Sequence, residues 1–365
     1  MRLLRFFTCG EVDDGKSTLI GRLFCDTGQI PDDLLASMKG NLAHYTDGLK
    51  AEREQNITVD AAYRFFEDED SKFIVADAPG HLPYLRQMVS AASTADAAII
   101  LVDATRGVSD QTLRHAHICQ WLGIRSIAFA INKMDAVAWS EEHFKKIKHS
   151  LSVFTTAHFF PISALHGDNV ASTSLSASWY QGSTLLQWMK KLTPQSLTSK
   201  AVRFPIQLVQ PNGRALGTLA SGILVSQQTL TANTVNVHVE KMWQHPNELK
   251  KAEAGQPLSL QLTGQPARGT LLHDGSAHTS KRWRAQWIHF KPTRGLIAHR
   301  LGWVSPIQSL AEERTLAIAE LKEGIVEFQE ALTADAFSDI PATGRLIAID
   351  DRGDTVMALL LQKAL

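Results

Sequence analysis

The most constraining feature of the sequence is the segment Gly10–Ser17, GEVDDGKS, which fits the phosphate-binding loop pattern G-x-x-x-x-G-K-[ST]. An apolar run, Leu3–Cys9, precedes it, and a helical pattern, Thr18–Thr27, follows it. In such a strand–loop–helix unit, the backbone N–H groups of the loop and of the helix N-terminus bind phosphates. We therefore predict that Lys16 contacts the β- and γ-phosphates of a nucleotide and that Ser17 binds Mg²⁺. The other residues predicted to line the nucleotide in this loop are Gly10, Asp13, Asp14, Gly15 and Thr18.

The pattern of apolar residues predicts an α/β domain followed by β domains. Up to about residue 165, short apolar runs alternate with amphipathic helical patterns, which is typical of a mostly parallel sheet with helices on both faces. The predicted strands are Leu3–Cys9, Tyr63–Glu67, Lys72–Asp77, Ala97–Asp103, Ser126–Asn132 and Phe159–Ser163. The predicted helices are Thr18–Thr27, Tyr84–Ser93, Gln111–Leu122, Glu141–Leu151 and Ser183–Lys191.

After Arg203 the sequence changes to short Val/Ile/Leu/Thr-rich segments separated by Pro, Gly and Asn, which favours antiparallel barrels. We predict an α/β phosphate-loop domain at residues 1–198 and two small β-barrel domains at residues 199–274 and 275–365.

Further motifs predict the metal site and the hydrolytic residues. The pattern D-x-x-G occurs as Asp77-Ala-Pro-Gly80 directly after a predicted strand, and His81 follows it. In phosphate-loop nucleotidases such an Asp binds Mg²⁺ through water, and the Gly N–H reaches the γ-phosphate. His81 stands where these enzymes carry the residue that orients the attacking water, and Thr58 is predicted to close on Mg²⁺ and the γ-phosphate. The predicted metal residues are thus Ser17, Thr58 and Asp77, and the predicted catalytic residues are Lys16, Thr58 and His81.

The base is predicted from two later segments. Asn132-Lys133-Met134-Asp135 ends a predicted strand, and its Asp carboxylate can accept both N–H groups on the edge of guanine. Adenine would leave that carboxylate unpaired, which makes such a site selective. Ser163-Ala164-Leu165 follows the last predicted strand and is expected to supply a backbone N–H for the guanine O6. The order and separation of these motifs predict GTP as the nucleotide.

Composition excludes several classes of function. Lys+Arg and Asp+Glu are equal at 37 each, which argues against broad binding to a nucleic-acid backbone. No apolar run is long enough to span a membrane. Cys9, Cys25 and Cys119 form no C-x-x-C motif and cannot all pair, so a reduced, cytoplasmic location is expected.

Five GTPase motifs in order, followed by two β domains, resemble the translation-factor class of GTPases. Within that class the chain most closely resembles the large, GTP-hydrolysing subunit of the heterodimeric sulfate adenylyltransferase. The segments that carry this resemblance are Val12–Leu23, Leu49–Gln55, Leu122–Ile124, Ser163–Val170 with Trp179-Tyr180, Arg203–Gln207, Gly217–Gly222 and Thr343–Asp350.

The resemblance implies that a small, ATP-binding partner subunit joins sulfate to the AMP part of ATP, giving adenosine 5′-phosphosulfate and pyrophosphate. This chain would couple GTP hydrolysis, with Mg²⁺, to that uphill reaction. The chain has no S-G-G-x-D-S or H-x-G-H motif of its own, which agrees with such a division. No arginine finger is evident in the sequence, so intrinsic hydrolysis is expected to be slow. Two alternatives stay open: a translation-type GTPase, and a regulatory GTPase no longer coupled to sulfate activation, the latter because the first β domain is short.

Overall fold

The computed structural model describes residues 2–30, 62–68, 71–77, 85–194, 197–198, 200–232, 234–289, 297–300, 316–349 and 355–365. The chain divides into two compact units, Met1–Gln195 and Ser196–Leu365. The predicted boundary at residues 274 and 275 falls inside the second unit and stays a prediction. Within the described ranges, no helix is both long and apolar enough to cross a membrane.

The first unit contains a mixed sheet whose strands lie in the order β2-β3-β1-β4-β5-β6. These strands are β1 (Arg2–Cys9), β2 (Ala62–Asp68), β3 (Ser71–Asp77), β4 (Ala97–Asp103), β5 (Ser126–Asn132) and β6 (His158–Pro161). Neighbouring strands are parallel except for β2, which pairs antiparallel with β3. The described helices of this unit are α1 (Lys16–Asp26), α2 (Leu85–Ser93), α3 (Asp110–Trp121), α4 (Glu141–Ser150) and α5 (Leu185–Lys191). The predicted α/β class is confirmed.

The strands form where apolar runs are long enough to be buried on both faces. All residues of β4 are buried, as expected for a central strand of a covered parallel sheet. On one face, α1 and α5 pack on the sheet in a core that includes Phe6, Leu19, Phe73 and Trp188.

Side-chain caps fix the starts of two helices. The Ser109 hydroxyl accepts from the Thr112 N–H at the start of α3, and the Thr184 hydroxyl accepts from the Gln187 N–H at the start of α5. Such caps satisfy backbone N–H groups that have no partner inside the helix.

Strand β2 is the edge of this sheet in the described structure. The side chains of Tyr63 and Phe65 on this strand are 47% and 56% exposed, whereas Phe66 between the sheet and α1 is buried. Charged residues lie where β2 ends: Glu67 pairs with Lys72 at 2.9 Å, and Asp68 pairs with Lys190 at 2.8 Å.

The second unit contains antiparallel sheets. One has the strand order β7-β16-β11-β12-β15-β9-β8, with β13 paired to β12, and β10 pairs separately with β14. The strands of these two sheets are β7 (Arg203–Pro205), β8 (Leu208–Val209), β9 (Ala215–Thr218), β10 (Ile223–Val225), β11 (Thr229–Ala232), β12 (Val235–Gln244), β13 (Asn247–Leu249), β14 (Lys251–Glu253), β15 (Pro257–Leu262) and β16 (Leu271–His273).

The remaining strands of the second unit close into a barrel in the order β17-β20-β19-β18-β21-β22. They are β17 (His278–His289), β18 (Ile297–Arg300), β19 (Leu316–Lys322), β20 (Ile325–Ala334), β21 (Arg345–Ile349) and β22 (Thr355–Ala364), with a short helix α6 (Pro341–Gly344) before β21. Trp283 is fully buried in the barrel core, beside Phe328 and Leu359.

A buried ionic network joins β7 to residues near the closed barrel. The guanidinium of Arg203, whose side chain is 1% exposed, donates to both carboxylate oxygens of Asp335 at 2.7 Å. It also donates to Asp274 at 3.0 Å, and the Thr343 hydroxyl donates to Asp335 at 2.7 Å. Arg203 and Thr343 begin two of the segments quoted above for the resemblance, and the structure brings both into one network.

Candidate nucleotide-binding site

The loops predicted to bind nucleotide follow the carboxyl ends of parallel strands, which meet at one edge of the sheet. Cys9 at the end of β1 is in register with Ile100 on β4, and Asp103 at the end of β4 is in register with Asn132 on β5. On the other side, Thr8 of β1 is in register with Asp77 at the end of β3. Four strand ends therefore place the phosphate loop, the N-K-x-D segment and Asp77 on the same edge.

The phosphate loop has a backbone that requires glycine at Gly15. Its φ of 94° lies in the left-handed region, and a Cβ at this position would overlap the side-chain amide of Asn132. Gly15 caps α1 without a side-chain hydrogen bond. The first N–H groups of α1 therefore have no capping side chain from this residue, which suits them to an anionic ligand.

Lys16 is held over the phosphate loop. Its Nζ donates to the carbonyl of Glu11 at 2.6 Å and to the carbonyl of Gly10 at 3.2 Å, and the residue is 8% exposed. The ammonium group is thus positioned by the same loop whose N–H groups are expected to bind phosphate.

The Asp14 side chain is buried and forms a hydrogen bond within the loop. Its carboxylate accepts from the Glu11 N–H at 2.6 Å, and the residue is 3% exposed. Burial raises the pKa of this carboxyl, although the hydrogen bond from Glu11 opposes the shift. Asp13, in contrast, is exposed and has a left-handed φ of 69°. The two adjacent acids therefore differ: Asp14 shapes the loop, and Asp13 faces solvent.

Arg106, in the segment after β4, contacts the outer side of the phosphate loop. Its Nη2 lies 2.8 Å from Oε2 of Glu11, and its Nη1 donates to the Val12 carbonyl at 3.2 Å. Sequence reasoning missed this residue. The signal available in the sequence was the group of three acidic residues in the loop, which favours a cation nearby.

Asn132 connects two of the predicted loops. Its Nδ2 donates to the Asp14 carbonyl at 2.7 Å, and its Oδ1 accepts from the Ala164 N–H at 2.9 Å. The residue is 3% exposed. The first residue of N-K-x-D therefore ties the phosphate loop to the Ser163–Leu165 segment, so that the phosphate and base ends of the site share one anchor.

Lys133 is fixed by a residue that the sequence analysis did not assign to the site. Its Nζ donates to Oδ2 of Asp103 at 2.7 Å, and its backbone has a left-handed φ of 62°. The other Asp103 oxygen accepts from the N–H and the hydroxyl of Thr105 at 2.8 and 2.6 Å. Burial alone would raise the pKa of Asp103, but the hydrogen bonds from Lys133 and Thr105 lower it below its ordinary value.

Asp135 and the Ser163–Leu165 segment lie on the base side. The Asp135 carboxylate is 30% exposed, and its Oδ2 lies 3.8 Å from Nε2 of His166. The hydroxyl of Ser163 accepts from the His166 N–H at 3.3 Å, and Leu165 is 54% exposed. The segment Ser163-Ala164-Leu165 is predicted to supply a backbone N–H to the guanine O6, and within it the Ala164 N–H donates to Oδ1 of Asn132. An accessible carboxylate next to an ordered loop can accept N–H groups from a ligand.

The residues predicted to bind Mg²⁺ are described in part. Ser17 lies in the first turn of α1 and is half-buried, and Asp77 is 3% exposed at the end of β3. The Thr8 hydroxyl lies 3.4 Å from Oδ1 of Asp77, which orients that carboxylate at the strand end. The predicted residues Thr58, Gly80 and His81 lie outside the described residues.

The donor set suits Mg²⁺. No cluster of three His, Cys, Asp or Glu side chains that could hold a metal ion is found in the described ranges. Mg²⁺ in nucleotide sites is typically held by one or two protein oxygens, water and phosphates. A hydroxyl and a carboxylate, Ser17 and Asp77, fit that requirement.

Comparison with known proteins identifies the family. The "Elongation factor Tu GTP binding domain" family matches residues 1–202. A protein of Citrobacter koseri named sulfate adenylyltransferase subunit 1 is 41% identical, over 95% of this chain and 83% of the relative. A protein of Shewanella oneidensis with the same name is 38% identical, over 98% of this chain and 85% of the relative. This chain belongs to the sulfate adenylyltransferase subunit 1 family. The resemblance stated from the motifs is confirmed, and residues 1–202 form a GTP-binding domain of the elongation factor Tu type.

Solved structures agree with the fold. The GTPase-like domain of Ski7 from S. cerevisiae has a TM-score of 0.64 at 14% identity, over 99% of this chain and 97% of that chain. A bacterial selenocysteine-specific elongation factor has a TM-score of 0.61 at 20% identity, over 99% of this chain and 58% of that chain. At such identities these structures support the fold of this chain and nothing finer.

Proposed function

We propose that this chain is the GTPase subunit of a sulfate adenylyltransferase, in which GTP hydrolysis drives the formation of adenosine 5′-phosphosulfate and pyrophosphate from ATP and sulfate. Adenylyl transfer would take place in a small, ATP-binding partner subunit. The observation that carries the proposal is the connected site: Asn132 joins the phosphate loop at Asp14 to the base loop at Ala164. The relatives named sulfate adenylyltransferase subunit 1 support the coupled reaction.

In the proposed site, each group acts on a defined part of the nucleotide. The N–H groups of the phosphate loop and the ammonium of Lys16 bind the phosphates, since the lysine already lies over the loop. The Asp135 carboxylate accepts the N–H groups of guanine, and Lys133, held by Asp103, stays beside it. Ser17 and Asp77, with Thr58, would hold Mg²⁺, and the ion would supply positive charge opposite the phosphates.

From its place directly after D-x-x-G, His81 is proposed to orient the water that attacks the γ-phosphate. Gly80 is proposed to donate its N–H to the same phosphate. The energy of hydrolysis would reach the partner through the change that Thr58 and the Asp77–His81 segment undergo between the triphosphate and diphosphate states.

The base assignment is tested with Asp135→Asn. An amide in place of the carboxylate presents a donor where guanine presents its exocyclic amino group, so preference should shift from guanine to xanthine nucleotides. Asp110→Asn, an exposed carboxylate in the first turn of α3, is the matched control. Binding of fluorescent GTP and XTP analogues is measured for both variants. Unchanged GTP affinity in Asp135→Asn would remove this residue from the base site.

The coupled reaction is tested by GTP turnover of the chain with and without its small subunit, ATP and sulfate, while adenosine 5′-phosphosulfate is quantified. Turnover stimulated by the partner, with product formed in proportion, is the expected result. GTP turnover that does not depend on the partner, ATP or sulfate would instead identify a regulatory GTPase. Turnover stimulated by ribosomes or RNA would identify a translation-type GTPase.

A further inference from the structure

The phosphate loop carries three carboxyl groups, and negative charge at short range opposes the binding of an anionic ligand. Gly10–Ser17 contains carboxyl groups at Glu11, Asp13 and Asp14 and a single ammonium group at Lys16. A nucleoside triphosphate adds several negative charges at short range, and like charges at such distances oppose binding. The loop therefore needs a nearby cation or a way to hold its carboxylates away from the phosphates.

Two of the three carboxyl groups are accounted for by their surroundings. Asp14 is turned into the loop, where its carboxylate accepts from the Glu11 N–H at 2.6 Å. Asp13 is exposed, so water and salt screen its charge. Glu11 is different, because its side chain is only 21% exposed and therefore less screened.

The backbone of Glu11 is held in the loop, because both its N–H and its carbonyl are engaged. Its N–H donates to Asp14, and its carbonyl accepts from Lys16 Nζ at 2.6 Å. The side chain of Glu11 therefore extends from a fixed point of the loop that is expected to bind phosphates.

Arg106 meets that carboxylate and the loop backbone together. Nη2 lies 2.8 Å from Oε2 of Glu11, while Nη1 donates to the Val12 carbonyl at 3.2 Å. The arginine backbone is itself held, since its N–H donates to the Asp103 carbonyl at 3.2 Å. One guanidinium group therefore neutralises Glu11 and contacts the next residue of the loop.

We propose that Arg106 is a positioning residue for the nucleotide, which neutralises Glu11 and holds its carboxylate at the loop rim so that the loop accepts a triphosphate. This inference rests on the nucleotide site proposed above. An ordinary exposed ion pair contributes little to stability. If Arg106 acts by neutralising Glu11, its loss should weaken GTP binding only while the Glu11 side chain is charged.

The experiment is a double-variant cycle with Arg106→Ala, Glu11→Gln and the combination of the two. Dissociation constants of fluorescent GTP and GDP analogues are measured at low and high ionic strength. Arg106→Ala should weaken GTP binding about five- to tenfold at low salt and GDP binding less, because the diphosphate carries less charge. Glu11→Gln alone should bind GTP at least as tightly as the wild type. The double variant should return to within about twofold of the wild type, and all differences should shrink at about 1 M salt.

The control is Lys145→Ala, which removes an exposed ion pair with Glu141 at 2.8 Å on α4 and should leave both dissociation constants unchanged. Melting temperatures identify any variant that is merely less stable. Wild-type affinity in Arg106→Ala, or a double variant as weak as Arg106→Ala, would overturn the compensation. A wild-type chain that binds no guanine nucleotide would instead refute the proposed function.

Discussion

Replacement of Asn132 by alanine is the most direct test of how the site is held together. The change removes two hydrogen bonds at once, from Nδ2 to the Asp14 carbonyl at 2.7 Å and from the Ala164 N–H to Oδ1 at 2.9 Å. Both bonds are buried, so one carbonyl and one N–H lose their partner away from bulk water. Each unpaired group lowers the free energy of unfolding by about 1–3 kcal/mol, so the two together lower it by at least about 2 kcal/mol.

Without this anchor the nucleotide itself has to bring the two loops together, so the affinity of Asn132→Ala for guanine nucleotide should also fall. A loss of about tenfold is expected, which corresponds to about 1.4 kcal/mol of the cost appearing in binding. Titration with a fluorescent GDP analogue measures the effect, and thermal unfolding without nucleotide measures the loss of stability. Asn132→Asp tests the same anchor: it keeps the acceptor for Ala164 but sets a carboxylate against the Asp14 carbonyl, so it should also bind weakly.

Asn169 offers a matched control. It is 2% exposed and joins two chain segments in the same way, from Nδ2 to the Pro161 carbonyl at 2.9 Å and from the Ser174 N–H to Oδ1 at 2.8 Å. Asn169→Ala should lower the melting temperature about as much as Asn132→Ala, but with a much smaller loss of nucleotide affinity. Equal affinity losses in the two variants, or wild-type affinity in Asn132→Ala, would refute the anchor.

Three further outcomes are expected. Asp103→Asn removes the negative charge that faces Lys133 and should raise the dissociation constant of GDP several-fold to about tenfold. Asp96→Asn, at the other end of the central sheet, should leave that dissociation constant unchanged. Equal effects of the two substitutions would contradict a role of Asp103 in the site. Arg203→Leu leaves Asp335 buried without its guanidinium and should cost about 3–5 kcal/mol in urea unfolding; a loss under about 1 kcal/mol would contradict it. Burial alone would raise the pKa of Asp274, but hydrogen bonds from Ser276, the Val202 N–H and Arg203 lower it to about 2. Because the side chain of Asp274 is 29% exposed and solvent screens its contacts, the depressed pKa should stabilise the fold by about 1 kcal/mol above pH 5. This stabilisation should be lost as pH falls from about 4 to 2, and melting curves for Asp274→Asn should lose that part of the pH dependence.

The sequence predicted the central strands best. Ala97–Asp103 and Ser126–Asn132 match the observed β4 and β5, because each is an unbroken apolar run between polar loops. Helix ends were less predictable: the helix predicted at Thr18–Thr27 begins at Lys16, since Gly15 provides the left-handed turn and the loop residues that follow it are already helical. Likewise, the last predicted strand ends at Pro161, because Ser163 pairs with Asp168 in a separate turn.

The two side-chain ion pairs that the sequence did not predict at this site join segments far apart in the chain. Arg106 reaches Glu11 across 95 positions, and Lys133 reaches Asp103 across 30. Such pairs depend on which strands are neighbours and in what register, and neither is written in a local pattern of residues. Motifs locate the loops that touch the ligand, but the residues that hold those loops become visible only once the sheet is assembled.

The position of β2 at the edge of the central sheet, among the residues that the structure describes, has a consequence for how the chain behaves in solution. An edge strand with two exposed aromatic rings, Tyr63 and Phe65, is a template for pairing with another chain. Its short length and the ion pairs of Glu67 and Asp68 at its end oppose such pairing. Because salt screens those charges, the colloidal stability of the isolated chain should decrease as ionic strength rises, and purification is best carried out at low salt.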